Sequence, residues 1–111
     1  MIEKVYEVTV TNDKTIERIV DDEHVNINHM VLIKDTGLPV HVSNSNVYMV
    51  IVRGTMTIAL DDGQANLHQV GEILAIPFDT KMEVINKHED LLEFYVLKSP
   101  NPKDMPPVKQ I

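Results

Sequence analysis

Several short runs of the chain alternate apolar and polar residues with a period of two, the pattern of half-buried strands rather than helices, and others are apolar on both faces. Residues 5–10 (VYEVTV) are the first such run, and Asn12-Asp13-Lys14 supplies turn chemistry after it. Residues 15–20 (TIERIV) place Ile16, Ile19 and Val20 at helical spacing, but the run is short and β-branched, so a strand is expected. Residues 25–34 (VNINHMVLIK) begin with strict alternation and become apolar on both faces, as in a strand running into a core. Asp35-Thr36-Gly37 turns the chain into a short strand around His41, and Asn44-Ser45-Asn46 leads into residues 47–53, again apolar on both faces. Gly54 permits a bulge or bend before alternation resumes at 55–60.

Asp61-Asp62-Gly63-Gln64 is the strongest hairpin signal, with Asp-Gly expected to accept the positive φ angles of a tight turn. Return strands follow at 65–70, 73–76, 82–85 and 91–98, separated by Gly71-Glu72, by Pro77–Thr80 and by a polar loop. Pro100, Pro102, Pro106 and Pro107 predict an extended, peripheral tail. Many short strands without a long helix imply an all-β barrel or sandwich.

Composition narrows the function classes. The 111 residues suit one domain with one core. A net charge of −7 with basic residues scattered singly argues against nucleic acid as partner. No apolar run approaches a bilayer span and no basic-then-apolar leader opens the chain, so neither membrane insertion nor export is expected. The absence of cysteine agrees with a cytoplasmic setting and leaves no thiolate chemistry.

Two stretches carry a further pattern. Reading back from Gly54, Val47, Ser43, His41 and Asp35 stand at the spacing of a glycine, two-histidine, glutamate, glycine motif, with Pro39 two residues before His41. Further on, Gly71, Pro77 and Asn86 keep the spacing of a second motif, with Asp79 where a glycine is usual and Met82 where a histidine is usual. In this frame the chain resembles the small single-domain cupins over roughly residues 25–100. The resemblance implies an antiparallel double-stranded β-helix, or jelly-roll barrel: a single domain over 1–111, with flanking strands in 1–24, the barrel over about 25–100 and an extended tail over 101–111.

In typical cupins four motif positions hold a metal, and only His41 keeps a usual ligand here. Serine is a poor ligand, valine is none, and a thioether prefers soft ions, so a metal-poor or metal-free site is expected. A divalent metal stays open only through a rearranged site, with His29, Asn28, Asn44 or Glu93 as recruits. If His41 faces the interior, strand parity makes His41, Ser43, Val47, Met49 and Met82 the candidate lining of an apolar ligand pocket. The competing structural reading makes His41 a hydrogen-bonded barrel histidine and Met49 and Met82 core filler. His24, His68 and His88 are expected to face solvent, and Asp35 and Asp79 to mark turns.

Three functions follow from the resemblance. The first is a small-molecule-binding cupin using His41 and Ser43. The second is an isomerase or oxygenase of the cupin kind, with His41 as acid–base or part of a divergent metal site. The third is a structural or regulatory dimer with a vestigial pocket. Tyr48, Val50 and Val52 make the opposite face of residues 47–53 apolar, and the expected cover is the N-terminal strand pair or a second subunit, hence a homodimer.

Overall fold

The computed structural model describes all 111 residues and contains ten strands. They are β1 (Thr15–Asp21), β2 (Asn26–Ile33), β3 (Thr36–Gly37), β4 (His41–Val42), β5 (Val47–Arg53), β6 (Thr55–Leu60), β7 (Asn66–Gln69), β8 (Ile73–Ile76), β9 (Lys81–Asn86) and β10 (Leu91–Lys98). A 3₁₀ turn at Pro102–Asp104 is the only helical element, and no helix is long and apolar enough to cross a membrane.

Every pairing is antiparallel. One sheet has the order β1-β2-β10-β5-β8; the other has β3-β9-β6-β7, with β4 also on β9. From β5 onward the chain passes back and forth between the sheets, closing the double-stranded β-helix that the alternation and the motif frame anticipated. Inward positions alternate along each strand: Val47, Met49 and Ile51 on β5, Leu92, Phe94 and Val96 on β10, Met56 and Ile58 on β6, Met82 and Val84 on β9. With Leu32 and Ile76 they form one core of twelve buried residues. A fully buried side chain of this size contributes about 2–3 kcal/mol, so the twelve together are the main force holding the sheets face to face.

The turns use aspartate in left-handed backbone. Asp61 and Asp62 have φ of 50° and 60°, and Gly63 N–H donates to Leu60 O at 2.9 Å. The two aspartates therefore carry the positive φ angles, one residue earlier than the expected Asp-Gly pair. Asp35 (φ 64°) and Asp79 (φ 66°), at positions where cupins usually have glycine, keep the glycine-like conformation. At Gly54 (φ 88°) a Cβ would lie 2.2 Å from Leu91 O, so the tight β5–β6 bend requires glycine.

Two expectations are corrected. Residues 5–10 join no ladder, and the first strand begins at Thr15; alternation alone does not make a strand unless the segment pairs with a neighbour. The C-terminal tail is not simply peripheral. Asn101 is buried, its amide donating to Asp21 Oδ1 (2.6 Å) and Asp22 O (2.9 Å), and Lys109 N–H donates to Asp79 Oδ1 (2.8 Å). The prolines stop pairing but leave the segment free to dock through side chains.

Candidate functional site

The motif positions lie together on β4, β5 and β9, with His41 directly opposite Met82 in the β4–β9 pair. His41 is half-buried, and its Nδ1–H donates to Pro39 O at 2.8 Å. Ser43 is buried and fully engaged: its hydroxyl donates to Pro77 O (2.6 Å) and accepts from Thr80 N–H (2.8 Å). Val47, Met49 and Met82 are buried members of the core. None of the five principal hollows is lined by any of these five residues.

The four positions that hold the metal in typical cupins do not fit one here. They present one imidazole, a hydroxyl committed to two backbone groups, a valine and a core thioether. A divalent ion needs three or four nitrogen or oxygen donors to replace its water. The four other recruits do not converge either. His29 and Glu93 meet on the outward face of the first sheet, whereas Asn28 and Asn44 line a separate polar hollow.

The motif frame nevertheless has structural work. Pro77 receives the Ser43 bond. Asn86 is buried, and its amide donates to Leu32 O and Glu89 O, both at 3.0 Å, closing the loop between β9 and β10. These turns and crossings give the motif spacing a structural role that needs no metal ligand.

A hollow of about 470 Å³ opens where β7 ends one sheet and β8 ends the other. Ile58 and Leu60 from β6 and Leu74 and Ile76 from β8 form its apolar wall. Asn66 and His68 from β7 and Gln64 from the preceding loop supply its polar groups. His68 stands opposite the core residue Met56, so it belongs to the inward face and is half-buried rather than solvent-facing as expected. Its ring Nδ1 is 3.0 Å from Glu72 Oε2, and Glu72 Oε1 accepts from Gln69 N–H at 3.0 Å. The bond from His68 first, then that from Gln69, holds the Glu72 carboxyl below its usual pKa. His24 and His88 are exposed, as expected.

The polar cluster least visible in the sequence surrounds His29. Its Nδ1 lies 2.7 Å from Glu17 Oε2 on β1 and its Nε2 lies 2.6 Å from Glu93 Oε2 on β10, with the Tyr95 ring 5.1 Å away. A neutral imidazole has one N–H and can donate to only one of two carboxylates, so acceptors at both nitrogens favour the protonated ring and raise its pKa. Glu17 also accepts the Thr9 N–H and hydroxyl, both at 2.9 Å. Arg53 Nε stands 3.3 Å from Glu93 Oε1 without hydrogen-bond alignment, while its guanidinium donates to Asn12 Oδ1 and Thr11 O. The cluster thus clasps residues 9–12 to the sheet, over a shallow hollow of about 540 Å³. The both-faces-apolar pattern of β2 was its signal, but the partners come from strands far apart in sequence.

No protein-family model matches the chain. It is 43% identical over 106 residues to an uncharacterised protein of Methanocaldococcus jannaschii, covering 95% of this chain and 91% of that protein. The crystal structure of that archaeal protein, an RmlC-like cupin family protein with a double-stranded β-helix fold, superposes with a TM-score of 0.89 at 44% identity, covering 93% and 95% of the two chains. A cupin superfamily protein from Desulfitobacterium hafniense shares the fold at 13% identity (TM-score 0.70, covering 84% and 83%). A double-stranded β-helix protein from Klebsiella pneumoniae shares it at 9% (TM-score 0.75, covering 95% and 92%). The twelve-residue core between two antiparallel sheets, the retained motif frame and an archaeal relative of nearly the same length agree: this chain belongs to the RmlC-like cupin family.

Proposed function

We propose that the chain is a small-molecule-binding cupin whose site is the hollow at the β7–β8 seam, independent of the usual metal positions. The observation that carries this is the hollow's lining: a four-residue aliphatic wall faced by His68, Asn66 and Gln64. An apolar concavity with a few convergent polar groups suits a compact ligand with an apolar body and one or two polar atoms. A thermal-shift screen of small carboxylic acids and sugars tests it. A ligand at roughly a hundredfold excess over its Kd adds about 2.7 kcal/mol of stability. Leu74→Trp, which fills the hollow, and His68→Ala should abolish the shift, while His41→Ala should keep it. A ligand that stabilises Leu74→Trp as much as the wild type would overturn the assignment.

The carboxylate-held imidazole of His68 favours a second, enzymatic reading. Glu72 fixes the ring and leaves it placed as a general acid–base beside the aliphatic wall. Turnover that disappears in His68→Gln while binding persists would identify it.

The working unit is a homodimer in the cytoplasm. Its support is the apolar outward face of β5 and β8, where Tyr48, Val52 and Ile73 are exposed, and the unpaired residues 1–10, with Met1, Ile2, Val5 and Val10 exposed. A second copy would cover both. The cysteine-free composition suits a reducing compartment.

A further inference from the structure

At the edge of the first sheet away from β8, the inward face turns polar. Arg18 on β1 stands opposite Asn28 on β2, and Lys98 at the end of β10 stands between Asn26 and Val47. Asn44 from the β4–β5 loop and Lys103 from the 3₁₀ turn complete a hollow of about 300 Å³ with no hydrophobic lining residue.

The charge balance of this hollow is opposite to that of the molecule. It holds Arg18, Lys98 and Lys103 against one carboxylate, Asp21, in a chain of net charge −7. Asp21 is already committed, accepting from Asn101 Nδ2 at 2.6 Å and pairing with Arg18 at 3.3 Å. Lys98 is half-buried on a strand paired on both sides, and its ammonium enters no ion pair and no hydrogen bond. Burial first, then the like charge of Arg18, lowers its pKa. A partly desolvated cation without a counter-charge is a standing cost to the fold, and a bound anion would remove it. Asn28 and Asn44 line the same hollow; the Asn28 amide gives one N–H to Asn26 Oδ1 at 2.6 Å and has a second to offer.

We propose that this hollow is an anion site for a phosphate group, free or carried by a small phosphate ester. Lys98 and Lys103 supply the charge, and Arg18 and the Asn28 and Asn44 amides supply directional donors. Phosphate suits the set because its oxygens accept from ammonium, guanidinium and amide groups together. The site lies on different strands from the β7–β8 hollow and does not depend on it.

The test is a titration of the full chain with inorganic phosphate, followed by two-dimensional amide NMR at constant ionic strength, with sodium chloride as the parallel arm. Saturable shifts centred on Arg18, Asn28, Asn44, Lys98 and Lys103, absent with chloride, are expected. A third arm with glycerol phosphate separates the sources, since tighter binding there assigns the site to an ester and equal or weaker binding to the free ion. Lys98→Met should weaken phosphate by about tenfold or more. It should also leave the Tm without phosphate unchanged or higher, because it removes the unpaired charge. Lys103→Gln, on a surface turn, should weaken binding about threefold. Non-saturating shifts, equal shifts with chloride, or wild-type affinity in Lys98→Met would each overturn the proposal.

Discussion

His29 shows how much one side chain can organise. It is wholly buried, yet Glu17 and Glu93 at both ring nitrogens favour its charged form. Burial is the largest single influence and acts to lower its pKa; the hydrogen bonds to Glu93 and Glu17 and their charges together outweigh it, so the net shift is upward. A raised folded-state pKa means that the stabilisation is fully present below the ordinary histidine value of about 6.5 and is lost as pH rises through the folded value. The wild-type Tm should therefore fall on going from pH 6 into the mildly alkaline range, and calorimetry of His29→Ala should show a flatter profile. That variant leaves two carboxylates facing a vacated space and should lose about 3 kcal/mol at pH 6. A pH profile identical to that of the wild type would exclude His29 as the titrating group.

Among the elements, the turns decide the strand order, and their chemistry differs from one to the next. Asp35 holds φ 64° between β2 and β3 and its side chain makes no hydrogen bond, so Asp35→Gly should stabilise by up to about 1 kcal/mol. Gly54→Ala should act in the opposite direction. It adds a Cβ 2.2 Å from Leu91 O at a φ of 88°, and a loss of about 3 kcal/mol is expected. Urea midpoints that move in opposite directions at constant m-value would bear this out; equal midpoints for the two variants would contradict it. Strand positions themselves were legible, since residues 47–53, 55–60, 73–76 and 91–98 coincide with β5, β6, β8 and β10. The two-residue β3 was not, because so short a pairing depends on β9 lying alongside rather than on any local pattern.

For the molecule as a whole, the unpaired N-terminal segment and the apolar outer face raise the same question of cover. Ile73 is 68% exposed and Val10 is 96% exposed, although Ile73 belongs to an apolar strand and Val10 to an alternating run. Sedimentation at micromolar concentration should give twice the monomer mass. Removing residues 1–7, short of the Thr9 clasp, should shift the equilibrium toward monomer without unfolding the barrel. A full-length chain that sediments as a monomer would rule the dimer out.

The alternation of side chains set the all-β class, the positions of most strands and the inward set Val47, Met49 and Ile51, because strand parity is a local property of the backbone. The motif spacing set the family frame, because Gly54, Pro77 and Asn86 sit at its turns and crossings, although the contacts that use them (Gly54 against Leu91, Ser43 on Pro77 O, Asn86 on Leu32 O) form only across the fold. Which groups meet was decided only in three dimensions. Ser43 became a backbone pin, and Met82 became core. His68, whose alternating run had suggested solvent, faces inward because β7 lies at the open seam between the sheets. The β-helix also gathers Glu17, His29 and Glu93 into one cluster and Arg18, Lys98 and Lys103 into another, from positions up to 85 residues apart. Such meetings depend on sheet order and register, and no local pattern encodes them.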